Sequence, residues 1–133
     1  MQKKSPVRRV LVVDDEPLIR WSLSETLGDH GYHVVETGDA ESAWAAIRGA
    51  EPGFDAIVLD LRLPDSEDLS LLKAIRRALP DASIILMTAY GTPEVVREAL
   101  DCGAFRVLNK PFEIQELAGL VEEAAALFPG TAD

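Results

Sequence analysis

At 133 residues and a formal net charge of -10, the chain has the size of one domain that can bury roughly two thirds of its unfolded surface without a staple. That acidity argues against direct nucleic-acid binding, because a phosphate backbone is gripped by clustered Lys and Arg. A single cysteine, Cys102, allows no internal disulfide, and no stretch has the make-up of a membrane span or a signal-peptide core; the expectation is a cytoplasmic protein with no membrane contact.

Residues 1–7 read as a flexible tail, and Lys3, Lys4, Arg8 and Arg9 as solubilising charge. Val10-Leu11-Val12-Val13 is a short apolar run, the mark of a strand buried on both faces, and it stops at Asp14-Asp15. Glu16-Pro17 then opens a helix with proline in its first turn. Leu18, Ile19, Leu23 and Leu27 are expected on its inner face, with a stop near Gly28 or Gly31. Tyr32-His33-Val34-Val35-Glu36 alternates in polarity, as an edge strand does. His30 and His33 lack a third ligand at metal spacing and read as surface or strand histidines. Asp39 is a candidate N-cap for a short helix that packs Ala43, Trp44 and Ile47 and ends in the stretch Gly49 to Gly53.

Phe54 to Asp65 holds the central strand, which runs apolar into Asp60 before Pro64 takes the chain into a loop. The next helix turns Leu69, Leu72, Ile75 and Leu79 inward, carries Arg76 and Arg77 at the negative end of its dipole, and closes at Pro80. Ser83 to Met87 is a fourth buried strand that stops at Thr88. Thr92-Pro93 caps and starts a helix whose apolar face is Val95, Val96, Ala99 and Leu100, ending at Gly103. Phe105-Arg106-Val107-Leu108 is the fifth strand, followed by Asn109-Lys110-Pro111. Ile114, Leu117, Val121, Ala124 and Leu127 mark a last helix, with Gly119 a weak point and Pro129-Gly130 its end.

Strand and helix thus alternate, and each crossover is long enough for parallel, right-handed pairing, which predicts an α/β doubly wound, three-layer sheet. In such sheets ligands collect beyond the carboxyl ends of the strands. Asp14, Asp15, Asp60, Thr88 and Lys110 all fall there. Clustered carboxylates repel one another unless a cation neutralises them. Hard oxygen ligands suit Mg²⁺, which keeps open positions for a phosphate oxygen. An aspartate in such a site can be a nucleophile toward phosphorus, with Lys110 and Thr88 offering charge and a hydroxyl to the phosphoryl oxygens.

Val12-Val13-Asp14-Asp15-Glu16-Pro17, Ile57-Val58-Leu59-Asp60-Leu61-Arg62-Leu63-Pro64-Asp65, Met87-Thr88-Ala89 and Lys110-Pro111-Phe112 resemble the motifs of the response-regulator receiver domain of bacterial two-component signalling. The resemblance holds in register from Arg8 to Leu127. It implies a flavodoxin-like sandwich of five parallel strands in the order 2-1-3-4-5, spanning residues 8–128, with 129–133 the start of a linker or tail. It further implies that Asp60 accepts a phosphoryl group from the phosphohistidine of a sensor histidine kinase. Asp15 would ligate Mg²⁺ directly and Asp14 mostly through water, with Asp60 and the Arg62 backbone carbonyl completing the protein ligands. Thr88 would move toward the phosphoryl group, Lys110 would pair with it, and the Lys110–Pro111 bond would be cis. The face made by the fourth helix, fifth strand and fifth helix would form a homodimer or meet an output module.

Glu16-Pro17-Leu18-Ile19-Arg20-Trp21-Ser22-Leu23 and Thr88-Ala89-Tyr90-Gly91 are similar, more locally, to receivers of enhancer-binding transcription activators of the nitrogen-regulator type. In those an ATPase module and a DNA-binding module follow the receiver. Two positions depart from the family pattern. Val107 stands where receivers usually carry a Tyr or Phe that swings inward with the threonine; of the candidates to replace it, Phe105 reads rather as core and Tyr90 as a shield over the site. Asp68 stands where most have Gly. Two other classes share this architecture. An aspartate-nucleophile phosphatase expects a second acid two residues beyond the nucleophile, where this chain has Arg62, and a flavin module expects a Gly/Ser-rich first loop, where this chain is acidic.

Overall fold

Unbroken aliphatic runs form strands that can afford no solvent face, and β3, Ala56–Asp60, is buried at all five positions. The computed structural model describes residues 8–49 and 53–126. In chain order the elements are β1 (Arg9–Val13), α1 (Pro17–Asp29), β2 (His33–Thr37), α2 (Ala40–Gly49), β3, α3 (Ser70–Ala78), β4 (Ser83–Thr88), α4 (Pro93–Asp101), β5 (Arg106–Asn109) and α5 (Ile114–Ala125). All pairings are parallel and the order is β2-β1-β3-β4-β5. The half-exposed β2 takes an edge, as its alternation predicts.

Because side chains alternate along a strand, each buried strand feeds two cores. Leu11, Val13, Ile57, Leu59, Ile84 and Leu86 pack with Ala43, Leu72, Ile75 and Ala99 on the side of α2, α3 and α4. Val10, Val12, Val58, Ile85 and Met87 pack with Leu23, Leu27, Leu117 and Val121 on the side of α1 and α5. Order reverses between β1 and β3, the switch point where a doubly wound sheet opens a crevice.

Helix ends follow the local chemistry. Asp39 Oδ1 accepts from the Ser42 N–H at 2.8 Å, and Thr92 Oγ1 from the Val95 N–H at 3.2 Å. Gly31, with φ 93°, is the residue that turns the chain out of α1, whereas Gly28 remains within the helix. Arg76 does more than face a dipole. Its Nη1 donates to the carbonyls of Leu79 (3.0 Å) and Pro80 (2.9 Å), and its Nη2 to that of Gly103 (2.8 Å), tying α3 to the turn before β5. At Asp68 no left-handed residue is required: φ is positive at no described non-glycine position, and Asp68 Oδ1 accepts from the Ser70 N–H and hydroxyl.

Two inward assignments are corrected. Leu18 is 73% exposed; it lies nine residues before Leu27, about 180° around a helix of 3.6 residues per turn, so it cannot share the face of Ile19, Leu23 and Leu27. Leu100 is 45% exposed, and Ala99 is the buried residue of α4, with Val95 and Val96 half-buried. Leu127, Pro129-Gly130, the tail 1–7, the linker 129–133 and part of the turn after α2 lie outside the described residues.

This burial sets a contrast within α1. Leu23→Ala is expected to lower the unfolding free energy by about 2–5 kcal/mol, as cavity-forming core truncations do, and Leu18→Ala by less than about 0.5 kcal/mol. Urea unfolding of both variants measures the difference, and equal losses would contradict the placement of Leu18.

Candidate functional site

Each site residue reaches the rim because an apolar strand stops there. β1 ends before Asp14, β3 on Asp60, β4 on Thr88, and β5 just before Lys110. Asp14 is fully buried and Asp60 5% exposed, while Asp15 stands out toward solvent. An oxygen of each of Asp14, Asp15 and Asp60 lies within 4.8 Å of the others.

The Lys110 ammonium sits in this group, 3.0 Å from Asp60 Oδ2, 3.3 Å from Asp14 Oδ2 and 3.3 Å from Glu16 Oε1. Backbone donors hold the other carboxylate oxygens. The Glu16 N–H donates to Asp14 Oδ1 at 2.8 Å and the Arg62 N–H to Asp60 Oδ1 at 3.1 Å. The Lys110 N–H donates to the Thr88 carbonyl at 2.7 Å, which anchors the lysine's own backbone to the end of β4. Asp15, Glu16, Asp60, Arg62, Ala89 and Lys110 line an open cleft over these groups.

Burial dominates the electrostatics. It pushes the Asp14 carboxyl above its ordinary value, and the Glu16 N–H and Lys110 offset this only in part. Asp60 is raised by burial in the same way, against the pull of Lys110 and the Arg62 N–H. Burial works against the Lys110 charge too, but its bonds to Asp60 and Asp14 win and its pKa is raised. Two buried acids and a third beside them, faced by one shared ammonium, have oxygen ligands left over for a hard divalent cation; the donor set fits one.

Of the residues expected here, Asp14, Asp15, Asp60 and Lys110 are brought together. Thr88 is buried at the same rim, but its hydroxyl accepts from the Tyr90 N–H at 3.0 Å and makes no bond to Asp60 or Lys110. Arg62 turns its guanidinium over the Tyr90 ring, 4.8 Å from the centroid, and Tyr90 is 61% exposed. Val107 is half-buried against the α2–α4 core and Phe105 packs on the opposite side of the sheet. The Lys110–Pro111 bond is cis.

Three contributors were not read from the sequence as site residues. Glu16 was legible only as the start of a helix, although it continues the acidic run. Arg20 donates through Nη1 to the Asp14 carbonyl at 2.7 Å. Asp65, in the loop after β3, accepts from the N–H groups of Ala40 (2.8 Å) and Glu41 (3.1 Å), so this loop caps α2. Partners 25 residues apart leave no local pattern to find.

The family model described as the response regulator receiver domain matches residues 10–122. The chain belongs to the response regulator receiver domain family. Among similar proteins, the DNA-binding transcriptional regulator NtrC of Azospirillum brasilense is 37% identical over 115 residues, covering 86% of this receiver and 24% of the relative. The regulatory protein AtoC of Escherichia coli K12 is 34% identical over 121 residues, covering 91% and 26%. The receiver thus spans about a quarter of the length of these curated relatives. Among solved structures, a CheY-like receiver of Methanospirillum hungatei superposes with a TM-score of 0.82 at 29% identity, covering 89% of this chain and 93% of that one. The BeF3-activated DrrB receiver domain does so at 0.81 and 26%, covering 91% and 99%.

The raised carboxyl pKa values give a pH dependence whose sign is fixed. Asp14 and Asp60 hold a proton more tightly folded than at the unfolded value of 3.8. The stability they contribute is therefore whole below that pH and is lost as pH rises through the raised values. Metal-free Asp60→Asn is expected to be at least as stable as wild type near pH 7, and the gap should shrink as pH falls to about 4. Urea unfolding in a chelator at both pH values tests this; a variant clearly weaker than wild type near neutrality would refute it.

Proposed function

We propose that this receiver is a phosphorylation-controlled switch that takes a phosphoryl group onto Asp60 from the phosphohistidine of a sensor kinase, with Mg²⁺ held by Asp15, Asp60, the Arg62 carbonyl and, through water, Asp14. The observation that carries the reading is the Lys110 ammonium 3.0 Å from Asp60 Oδ2 beside two further carboxylates. An Asp60 oxygen attacks phosphorus in line with the leaving imidazole: one O–P bond forms, one P–N bond breaks, and the imidazole keeps the electron pair. When bound, Mg²⁺ would supply positive charge against the phosphoryl oxygens and the crowded carboxylates. Lys110 has three N–H donors and three carboxylates in reach, so it can exchange a carboxylate for a phosphoryl oxygen without losing a bond. The exposed Glu16 is the partner that water resolvates most readily. Thr88 would release the Tyr90 N–H to turn its hydroxyl toward the new group.

The output is read from the relatives. The NtrC relative is named a DNA-binding transcriptional regulator and AtoC a regulatory protein, and both are about four times as long; accordingly this receiver governs an ATPase and DNA-binding module in a longer cytoplasmic protein. It does not itself touch nucleic acid or membrane, and no helix among the described residues is long and apolar enough to cross one. The receiver's own chemistry is limited to its phosphorylation and loss of the phosphoryl group, with no turnover of a separate substrate. The altered face is α4, β5 and α5, which pairs with a second copy or meets the output module. In this chain the response travels through the β4–α4 loop, since Val107 has no ring to swing.

Two measurements test the reading. With Mg²⁺ and acetyl phosphate, intact mass should rise by one phosphoryl group in wild type and not in Asp60→Asn; incorporation in that variant would defeat the assignment. With Mg²⁺ and beryllium fluoride, amide shifts should be large from Thr88 to Val95 and small at Val107. Equal shifts at Val107 would rule out the loop route.

A further inference from the structure

The backbone that joins the two acids of the first loop has lost its strand neighbours. β1 pairs with β2 and β3 through Val13, and the Asp14 N–H still donates to the Thr37 carbonyl at 3.1 Å, but the ladder ends there. The Asp14 carbonyl is instead held by Arg20 Nη1 at 2.7 Å. That carbonyl shares a rigid peptide plane with the N and Cα of Asp15. Fixing the oxygen therefore fixes the N–Cα axis from which the Asp15 side chain departs, leaving its own φ and χ1 as the freedoms that aim it. The exposed Asp15 carboxylate accepts no hydrogen bond among the described residues, so the backbone that carries it has the larger share in aiming it.

Arg20 is itself confined. Its Nε lies 3.6 Å from Glu36 Oε1 on β2, and its side chain is 23% exposed. Gly38, just past the end of β2, makes the space for the guanidinium: a Cβ there would stand 3.0 Å from Nη1 and 4.0 Å from the Asp14 carbonyl oxygen. One planar group thus bridges α1 to the end of β1, with β2 behind it. Lysine, with a single nitrogen on a flexible stem, cannot engage Asp14 and Glu36 through a fixed fork.

Resting on the reading of this rim as a Mg²⁺ site, we propose that Arg20, backed by Glu36 and given room by Gly38, is a positioning residue that holds the Asp14–Asp15 peptide plane so that Asp15 faces the cation. It touches neither the ion nor the phosphoryl group. Its effect is opposite in sign to its charge. A cation near the site repels Mg²⁺, so removing it tightens binding if charge alone matters. If the plane must be held, removal weakens binding, by about tenfold, as loss of an outer support of a metal ligand does.

The test is calorimetric titration of Mg²⁺ into the phosphoryl-free protein, alongside Mg²⁺-free melting and amide spectra to confirm the fold. Arg20→Gln should bind about tenfold more weakly, Arg20→Lys should recover only part of the loss although it restores the charge, and Glu36→Gln and Gly38→Ala should each weaken binding less. The rise in melting temperature that Mg²⁺ gives wild type should shrink in the same order. Wild-type or tighter binding by Arg20→Gln overturns the proposal, as does full recovery by Arg20→Lys. If Arg20→Gln does not fold, Gly38→Ala decides, because it crowds the guanidinium without changing any charge: weaker binding supports the role and unchanged binding ends it. Asp15→Asn separates the two readings. Should wild type bind Mg²⁺, Asp15→Asn fail and Arg20→Gln bind normally, the positioning role alone is wrong; if wild type does not bind Mg²⁺, both fall.

Discussion

One ammonium group holds the working end of this molecule together. Lys110 leaves the end of β5 and meets carboxylates from the ends of β1 and β3 and the start of α1. Neighbouring strands lie about 4.8 Å apart, so with β4 between them β5 sits about 10 Å from β3. A long, thin cation is what can cross that gap. Ala89, just past β4, lines the cleft with too small a side chain to obstruct it. The same bonds that draw Lys110 inward leave Asp14 and Asp60 short of compensation, because burial raises both acids in spite of it. The metal-free site is thus under electrostatic tension of the kind that a divalent cation would relieve.

The sheet makes that tension tolerable. Two fully apolar faces cover β1, β3 and β4, and such a core supplies hydrophobic stabilisation that outweighs a few unfavourable charges at one rim. Side-chain alternation keeps the polar residues out of both cores and delivers them where each strand runs out. The loops at the rim are then clipped to neighbours rather than left to wander. Asp65 joins the loop after β3 to α2, Arg20 joins α1 to the end of β1, and the β4–α4 loop lies so close to β5 that a Cβ at Gly91 would overlap the Asn109 side chain. A change at Asp60 therefore has short mechanical paths to several elements. On β5 beside that rim Val107 is an aliphatic residue packed against the core, while Tyr90 stands outside under Arg62.

Much of this is legible in the sequence. Three aliphatic runs that stop at Asp14, Asp60 and Thr88 specify buried parallel strands with chemistry at one edge, Phe105–Leu108 adds a strand leading to Lys110, and the alternating Tyr32–Glu36 stretch specifies the edge strand. Thr92-Pro93 and Asp39 wrote their own helix starts, since an N-cap bond spans three residues. Leu18 shows where residue type misleads: a leucine in an amphipathic helix reads as core until its angle to Leu23 and Leu27 is counted.

What the sequence by itself determined is everything set by short range: element type, the face each buried strand presents, caps, and the placing of Asp14, Asp15, Asp60 and Lys110 at strand ends. What only the tertiary structure decided is which of those ends are neighbours and which side chains serve them. The third carboxylate on Lys110 comes from Glu16, 94 residues away in the chain, and the cap on α2 from Asp65, 25 residues on. Periodicity and capping act over a few residues and leave a repeating trace. A contact made by chain reversal depends on the stacking of whole layers, and a single Glu, Arg or Asp that makes it looks, in the letters alone, like any other surface charge.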